Sequence, residues 1–443
     1  MLLRNCRCFR FDPHQRTSQP TADSATNQTQ AQSQIMKQSE SLSDMDRPYL
    51  VIQSDWNEVL KDKNGEAWVS CYNNHDADSV DNKGIYGSLK NVGVSSGDNL
   101  PFITGSGKFS VEKVNQKSIN IKHEDPNCSC LFVAPISTFP ALHKKNINCL
   151  DTSSGGLGVS VCTDCKLRVW NSADGCVRRE LDGHLGDVYV CKFFPSGLVI
   201  LSGGADLQLR IWSIETGKCH VVLKGHVGAI HDVAIVGRGK NILSVSKDGT
   251  VRLWNCGSEC CIGIIYKHDS SLNCCCISEI SDNQFDLGQR TVAEDELEID
   301  TTRKLLFVGA EDGFIKGFGL HSHVQIFEYN CGSPVNTCTT VSPCQVVCGT
   351  QNGSIFLFDI TQPNAPILTW RYSSSPVLSV IKYKDGFFSS KGDGVCVFMT
   401  PNNDKMIQLT GSDCDPVYSL AFDGSNIFSS CRDGTIRKYS PTL

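Results

Sequence analysis

The sequence repeats one short motif three times: Leu167-Arg168-Val169-Trp170-Asn171, Leu209-Arg210-Ile211-Trp212-Ser213 and Val251-Arg252-Leu253-Trp254-Asn255. The tryptophans of consecutive copies are separated by 42 residues. Self-similarity at a period of about 40 to 45 residues is typical of arrays in which every repeat forms one supersecondary unit that stacks on its neighbours. The chain is therefore expected to consist of repeated β-rich units, and the polar residues before each motif indicate which type of repeat these units are.

Each motif is preceded by the same three polar residues. An Asp lies six positions before the Trp, a Ser lies four positions before the Asp, and a His lies further upstream. The three sets are His143, Ser160, Asp164 and Trp170; His184, Ser202, Asp206 and Trp212; and His226, Ser244, Asp248 and Trp254. This pattern resembles the WD-repeat family, in which each repeat is a four-stranded blade of a β-propeller with strands a to d. The resemblance implies structural tetrads, in which the Asp of the b–c turn orients the His of the d–a loop.

Histidine, aspartate and serine together could also form a hydrolase triad. A nucleophile needs one strained, exposed site with an oxyanion hole, whereas these residues recur three times at one period. Repetition favours a structural hydrogen-bond network over catalysis. We therefore predict no enzyme activity, no catalytic residue and no cofactor.

Four degenerate copies continue the count after Trp254. Each keeps an Asp or Asn followed by Gly, and an apolar residue six positions after the acidic or amide residue. These copies are Asp312-Gly313 with Phe318, Asn352-Gly353 with Phe358, Asp393-Gly394 with Met399, and Asp433-Gly434 with Tyr439. The sequence thus predicts an all-β, seven-bladed WD40 β-propeller over residues 129–443. Because the last copy has no outer strand and an open edge invites aggregation, we expect Leu131–Phe139 to pair with the last blade and close the ring.

Outside the repeats the sequence changes character. Residues 1–44 are rich in Gln, Ser and Thr and are expected to be a disordered tail, and residues 45–128 are expected to form a small, mainly-β N-terminal domain. Within it we expect a capped helix at Ser54-Asp55-Trp56 and strands at Ala67–Tyr72, Ile85–Leu89 and Phe109–Ile121. Residues 279–303 form an acidic insertion between strands a and b of the fourth blade, expected to be solvated or disordered and to lie opposite the d–a loops.

Composition excludes several classes of function. A formal charge of −6 over 443 residues leaves no broad basic field for nucleic acid. Many of the 24 cysteines stand singly in apolar runs, and Cys6/Cys8 and Cys128/Cys130 have no second pair at zinc-binding spacing, so no metal site is expected. The sequence has no secretory signal and no apolar run of roughly 20 residues. We expect reduced thiols, no membrane and a cytoplasmic, or also nuclear, protein.

A closer resemblance covers the chain from about Met45 to its end. At Ser54-Asp55-Trp56, Gly65-Glu66-Ala67-Trp68, Tyr86-Gly87-Ser88-Leu89 and Phe193–Val199 the sequence is similar to the proteasomal ATPase-associated factor family. The resemblance implies a non-enzymatic, cytosolic assembly chaperone of the proteasome. Such a factor would bind an AAA-ATPase subunit of the regulatory-particle base and restrain its association with the core particle. We expect a monomer.

The partner-binding surface is expected on the d–a loops, which lean acidic. They carry Asp187, Asp269, Asp413 and Asp415 against Lys144 and Lys145. These acids could steer a basic partner surface, or they could be turn carboxylates in water, and both readings stay open. One alternative is a WD-repeat substrate receptor of a ubiquitin ligase, for which Ile52–Leu60 is too short to supply an F-box helix set. Another is a propeller enzyme, which would need carboxylates or histidines converging on the axis.

Overall fold

The computed structural model describes residues 48–72, 84–94, 100–280, 287–289, 295–401 and 406–441. The predicted tail at residues 1–44 lies outside them. The described residues form eight sheets, seven of which contain the blades of the propeller. The predicted all-β, seven-bladed fold with a mainly-β N-terminal part is confirmed.

The N-terminal part forms two sheets, here called the N-terminal sandwich (residues 49–133). The first sheet contains four sequential strands, β1 (Tyr49–Ile52), β2 (Glu66–Tyr72), β3 (Ile85–Val94) and β4 (Pro101–Gly105). The second contains β5 (Phe109–Val114), β6 (Ser118–Glu124) and β7 (Asn127–Val133). Helix α1 (Trp56–Val59) follows β1. Strands β1 and β4 were not predicted, and the run predicted as one strand over Phe109–Ile121 is split between β5 and β6.

Alternating side chains explain why the two sheets pack face to face. Ala67 and Val69 of β2 are buried in the same cluster as Ile119, Ile121 and Phe132 of the second sheet, as expected for strands with one apolar face. The expected cap of α1 is absent, because Asp55 Oδ1 accepts a hydrogen bond from the Gln53 side chain at 2.7 Å instead.

Seven four-stranded antiparallel arrays follow. Blade I contains β9 (Ile147–Thr152), β10 (Leu157–Cys162), β11 (Leu167–Asn171) and β12 (Val177–Leu181). Blade II contains β13 (Val188–Phe193), β14 (Val199–Gly204), β15 (Gln208–Ser213) and β16 (Cys219–Lys224). Blade III contains β17 (Ile230–Val236), β18 (Asn241–Ser246), β19 (Thr250–Asn255) and β20 (Cys260–Lys267). Blade IV contains β21 (Leu272–Glu279), β22 (Lys304–Ala310), β23 (Phe314–Gly319) and β24 (Gln325–Asn330). Blade V contains β25 (Val335–Ser342), β26 (Gln345–Thr350), β27 (Ser354–Asp359) and β28 (Leu368–Arg371).

Blades VI and VII complete the ring. Blade VI is β29 (Val377–Tyr383), β30 (Gly386–Lys391), β31 (Cys396–Met399) and β32 (Ile407–Leu409), and blade VII is β33 (Val417–Phe422), β34 (Ile427–Cys431), β35 (Ile436–Tyr439) and β8 (Ser137–Phe139). The b–c turns of blades III to VII have a glycine at a positive φ: Gly249 has φ +75°, and a Cβ there would stand 2.3 Å from the carbonyl oxygen of His268. In blades I and II, Cys165 and Leu207 adopt a positive φ at this position.

Two predictions about ring closure need correction. Only Ser137–Phe139 pairs with the last blade, antiparallel to β35. Leu131–Val133 belongs to β7 and pairs in parallel with β32, so the predicted boundary between residues 128 and 129 falls inside a strand. The N-terminal sandwich thereby extends the sheet of blade VI to seven strands. Strand β7 covers the edge of β32, which would otherwise be open.

The acidic insertion is partly docked, not solvated throughout. The side-chain amide of Asn241, in blade III, donates to the Leu297 carbonyl at 3.0 Å, and its oxygen accepts the backbone N–H of Ile299. Asn255 also donates to the Leu297 carbonyl, at 2.9 Å. These contacts pair two backbone groups of the insertion with polar side chains of blade III. Glu294 lies outside the described residues.

A polar ring around the axis joins neighbouring blades. Asp151 accepts the backbone N–H of Phe193 at 2.7 Å, and Asp232 accepts that of Cys275 at 2.9 Å. Blades V and VI use hydroxyls at the register of Asp232: Thr337 accepts the backbone N–H of Val380 at 3.2 Å, and Ser379 accepts that of Leu420 at 3.2 Å. In blade VII the hydroxyl of Ser419 donates to the Leu150 carbonyl at 3.3 Å. No helix among the described residues has the length and apolar character needed to cross a membrane.

Candidate functional site: the loop face of the propeller

The loop face is the side of the propeller that carries the d–a loops and the b–c turns. In blade II, His184 Nδ1 lies 2.8 Å from Asp206 Oδ2, and its Nε2 lies 2.7 Å from Ser202 Oγ. The indole of Trp212 donates to the same Ser202 oxygen at 2.8 Å. Blade III repeats these contacts with His226, Asp248, Ser244 and Trp254 at the same spacing, to within 0.1 Å.

Blade I contains the same four residue types but connects them differently. His143 Nε2 lies 2.6 Å from Ser160 Oγ, and Trp170 donates to that oxygen at 3.0 Å. Asp164 does not contact His143: its carboxylate forms an ion pair with Arg168 at 2.6 Å, and the guanidinium of Arg168 reaches His143 Nδ1 at 3.0 Å. The predicted link from the turn Asp to the His is therefore wrong for blade I, because the arginine stands between them.

This difference reverses the tautomer of the histidine. A guanidinium only donates hydrogen bonds, so His143 Nδ1 must accept and its Nε2–H donates to Ser160. In blades II and III the carboxylate only accepts, so Nδ1–H donates and Nε2 accepts from the serine hydroxyl. Burial and the adjacent Arg168 charge lower the pKa of His143 to about 4. Arg168 outweighs the effect of burial on Asp164 and lowers the pKa of that carboxyl to about 2.

A fourth histidine set was missed by the sequence analysis. His268 Nε2 lies 2.7 Å from Asp312 Oδ2, and its Nδ1 lies 2.8 Å from the hydroxyl of Tyr266. Tyr266 packs on Phe318, which replaces the tryptophan, with ring centroids 4.5 Å apart. The sequence did contain a signal for this set, because His268 follows His226 by 42 residues. The insertion places Asp312 farther along the sequence than the repeat period predicts, so the regular spacing of the set is lost.

Blade VI keeps the contact between the d–a loop and the b–c turn with other residues, whereas blade VII does not. In blade VI the hydroxyl of Ser373, at the histidine position, donates to Asp393 at 2.7 Å. In blade VII Asp413 occupies that position, and Asp433 pairs with Arg437 instead. Two carboxylates would repel each other there, and Asp413 Oδ1 accepts a hydrogen bond at 3.0 Å from Ser54 of the N-terminal sandwich. One predicted partner-binding residue is thus engaged within the chain.

The tetrads position the tips of the d–a loops. Asp206 Oδ2 also accepts the backbone N–H of Leu185 at 3.3 Å, and Asp248 Oδ2 accepts that of Val227 at 3.0 Å. The side chains of Leu185 and Val227 are 87% and 79% exposed. Sequence analysis did not single out these two residues, although each directly follows a Gly-His pair. The rigid turns hold two apolar side chains out into solvent.

The acidic residues predicted to bind the partner lie on this face and differ in solvent exposure. Asp187 and Asp269 are exposed, as is Asp413, whereas Asp415 is partly buried. Asp269 follows His268 as Leu185 follows His184, so it also stands at a loop tip. Lys144 and Lys145 are exposed after His143. The loop face therefore combines an acidic region, a basic region, the exposed apolar side chains of Leu185 and Val227, and Leu207 of a b–c turn, which is 37% exposed.

The axial channel holds charges that the sequence analysis overlooked. A space of about 560 Å³ is lined by Asp151, Lys192 and Asp232 among other residues of the a strands. Lys192 Nζ lies 3.0 Å from Asp232 Oδ1, and burial raises the pKa of Asp151 to about 6. Both carboxylates also accept hydrogen bonds from backbone N–H groups of the next blade, and we therefore interpret them as structural groups. No cluster of three or more potential metal ligands occurs within the described ranges.

Comparison with known proteins agrees with this architecture. The family model "WD domain, G-beta repeat" matches residues 134–171, 175–213, 217–255 and 401–440. The Homo sapiens protein named "Proteasomal ATPase-associated factor 1" is 47% identical over 391 residues, which cover 88% of this chain and 98% of that protein. The Gallus gallus protein of the same name is 48% identical over the same length. "Probable proteasomal ATPase-associated factor 1" of Dictyostelium discoideum is 38% identical over 419 residues, covering 89% of this chain and 96% of that protein.

The blades, their hydrogen-bonded tetrads and the family match define a WD-repeat β-propeller protein. A match of 391 residues is longer than the propeller and therefore includes part of the N-terminal sandwich. The chain belongs to the proteasomal ATPase-associated factor 1 family.

Proposed function

We propose that this protein is a non-enzymatic assembly chaperone and negative regulator of the proteasome. It binds an AAA-ATPase subunit of the regulatory-particle base and, while bound, restrains the association of that subunit with the core particle. The observation that carries the proposal is the 47% identity, over 98% of its length, to a human protein whose name states an association with proteasomal ATPases. We propose a cytoplasmic, or also nuclear, location, in keeping with the free thiols of the described cysteines.

The loop face is the surface that we assign to the ATPase subunit. Exposed apolar side chains surrounded by charges are typical of protein-binding surfaces, where buried apolar groups provide affinity and charges orient the partner. Leu185 and Val227 would be buried on binding, and Asp187 and Asp269 would face basic groups. Because the tetrad carboxylates hold these loops in place, little conformational entropy is lost when they dock.

Steric exclusion explains how a binding protein without catalytic residues could act as a negative regulator. A rigid propeller attached to one subunit occupies the space around it and is removed only when binding is reversed. The tetrads and the axial ring stiffen the propeller, so that the bound protein keeps its shape and sterically blocks access to the subunit. Regulation would then depend on the concentration and affinity of the factor.

The test measures binding of each purified base ATPase subunit to the full chain. The double variant Asp187→Lys, Asp269→Lys should weaken binding about tenfold or more, most strongly at low salt. The double variant Leu185→Ala, Val227→Ala should weaken binding at all salt concentrations, because the buried apolar area does not depend on screening. The matched control is Glu215→Lys, Glu259→Lys, two exposed acids of the c–d turns on the opposite face.

Three results would contradict the proposal. No ATPase subunit might bind, binding might be unaffected by the loop-face variants, or the control variant might weaken binding equally. Co-purification with ligase scaffold proteins in place of ATPase subunits would favour the substrate-receptor alternative. For the regulatory step, adding the protein should reduce the fraction of regulatory particle bound to core particle, and the loop-face variants should fail to reduce it.

A further inference from the structure

Two thiols meet in the wall of the axial channel, at the junction of blades I and II. Cys149 lies on β9, the inner strand of blade I, and Cys191 lies on β13, the inner strand of blade II. Their Sγ atoms are 3.2 Å apart, which is about 1 Å more than the length of a covalent S–S bond. Both cysteines are free, and both line the channel.

A polar contact beside the pair holds the two inner strands in position. Asp151, two residues after Cys149, accepts the backbone N–H of Phe193, two residues after Cys191, at 2.7 Å. The fold therefore keeps the two sulfurs next to each other before any reaction takes place. Groups that are held together in this way react far faster than the same groups free in solution.

A second junction between blades carries cysteines at the same two positions. Cys149 is the third residue of its inner strand, as is Cys274 in blade IV. Cys191 is the fourth residue of its inner strand, as is Cys338 in blade V. Cys274 and Cys338 are buried in one cluster and line the same channel, and hydrogen bonds from Cys274 and Cys276 lower the pKa of Cys338 to about 6. The propeller geometry thus brings thiols of adjacent blades together twice.

The junction of blades V and VI shows that these positions do not need cysteine for structure. There the hydroxyl of Thr337, the third residue of β25, accepts the backbone N–H of Val380 in the next blade at 3.2 Å. A thiol is only a weak hydrogen-bond acceptor, so cysteine at this position is a poorer link than threonine. What a pair of cysteines adds is redox chemistry, which a hydroxyl does not have.

The two thiols differ in how readily they react. Cys149 is 7% exposed and Cys191 is 3% exposed. The hydrogen bond with Cys149, together with burial, raises the pKa of Cys191 well above that of a free thiol. Because the thiolate is the nucleophile, Cys191 reacts slowly with an oxidant on its own. We therefore expect Cys149 to be the first to react with an oxidant small enough to enter the channel.

We propose that Cys149 and Cys191 are a redox-sensitive pair, which a small peroxide oxidises to a disulfide that links blades I and II. The Cys149 sulfur attacks one peroxide oxygen; the S–O bond forms as the O–O bond breaks, and the thiol proton goes to the departing oxygen. Cys191 then attacks the sulfur of this sulfenic acid; the S–S bond forms, the S–O bond breaks and water leaves. Two electrons pass from the two thiols to the peroxide. In a reducing cytosol such a disulfide is temporary, because cellular thiols reduce it again.

The test treats the folded full chain with hydrogen peroxide. The remaining thiols are blocked with N-ethylmaleimide in urea, and disulfide-linked peptides are identified by mass spectrometry. A peptide pair joined through Cys149 and Cys191 should form, and dithiothreitol should separate it. The internal control is the pair Cys331 and Cys348, which are buried with Sγ atoms 3.7 Å apart but do not line the channel. This pair should be linked about tenfold less, because the peroxide does not reach it.

Variants separate the two steps of the reaction. Cys191→Ser removes the second thiol, so that oxidation of Cys149 should stop at the sulfenic acid, which dimedone labels. In the parent chain, oxidation should raise the urea concentration of half-unfolding, because a link between residues 42 positions apart restricts the unfolded chain. Cys191→Ser should show no such rise. Cys176→Ser, which removes an exposed thiol, is the matched control and should respond as the parent chain does.

Three results would overturn the proposal. The Cys149–Cys191 link might be absent at a peroxide dose that oxidises the exposed Cys176, the Cys331–Cys348 pair might be linked equally, or the link might form only in urea. The inference does not depend on the function proposed above. Binding of an ATPase subunit through the loop-tip residues is measured under reducing conditions, so each proposal can fail alone.

Discussion

In blade II, one carboxylate oxygen of Asp206 contacts His184 Nδ1 at 2.8 Å and also accepts the backbone N–H of Leu185 at 3.3 Å. The aspartate of the turn therefore fixes both the ring of the histidine and the loop that follows it. Although burial opposes the charged form, the His184 hydrogen bond and charge lower the pKa of Asp206. A residue of the WD-repeat signature thus connects the interior of the blade to a surface loop.

Replacement of Asp206 by alanine should lower the free energy of unfolding by ~2 kcal/mol, because it leaves a buried imidazole N–H and a backbone N–H without an acceptor. Urea denaturation would measure this loss. Asp164→Ala is the matched control in blade I and should cost less, since Asp164 does not contact His143 and its partner Arg168 keeps a contact with Glu180. Equal losses in the two variants would contradict the difference between the blades.

Protonation of His143 should make stability depend on pH. Burial and the adjacent Arg168 hold its pKa at about 4 in the folded protein, against about 6.5 in an unfolded chain. Between these values the unfolded state binds a proton that the folded state does not. The free energy of unfolding should therefore rise from pH 4 to pH 6.5, with a contribution on the order of 2 to 3 kcal/mol that is complete above pH 6.5 and lost as the pH falls toward 4.

The variant His143→Gln isolates this contribution, because glutamine does not titrate. The difference in free energy of unfolding between the parent chain and the variant should change across that pH range. If the two stability curves run parallel from pH 4 to pH 6.5, His143 is not the group responsible.

Phe139 should be essential for closing the ring. Its ring packs on Trp170 with centroids 5.8 Å apart, and it is buried in a cluster with Phe428 and Ile436 of blade VII. Phe139→Ala should cost ~3 kcal/mol through lost burial and a cavity between the first and last blades. Val177→Ala, on the outer strand of blade I where Val177 is 40% exposed, should change the unfolding midpoint little. A small effect of Phe139→Ala would argue against closure through β8.

Asn241 should hold the acidic insertion against blade III. Asn241→Ala removes both its contacts to the insertion and should increase hydrogen exchange and proteolytic cleavage at residues 295–303 while the blades stay folded. The control is Asn330→Ala, an exposed residue at the end of β24. Unchanged protection of residues 295–303 in Asn241→Ala would show that other contacts hold the segment.

The repeat period and the recurring turn residues together were enough to predict seven blades, because a blade is a local unit whose strands are adjacent in sequence and whose turn residues recur at fixed positions. Even the degenerate copies around Phe318, Phe358, Met399 and Tyr439 kept the turn chemistry that marks a hairpin. The period could not show where the sequence leaves the pattern. Arg168 occurs in a motif shared with Arg210 and Arg252, yet only the structure shows it placed between Asp164 and His143.

The sequence by itself determined the number of blades and the residues of the tetrads in blades I to III, since local hydrogen bonding and alternation of apolar residues follow directly from residue order. Only the tertiary structure decided how the N-terminal sandwich joins the propeller through β7 and how the insertion docks. These features depend on contacts between residues hundreds of positions apart in the chain, such as the one between Ser54 and Asp413, and no periodic pattern encodes them.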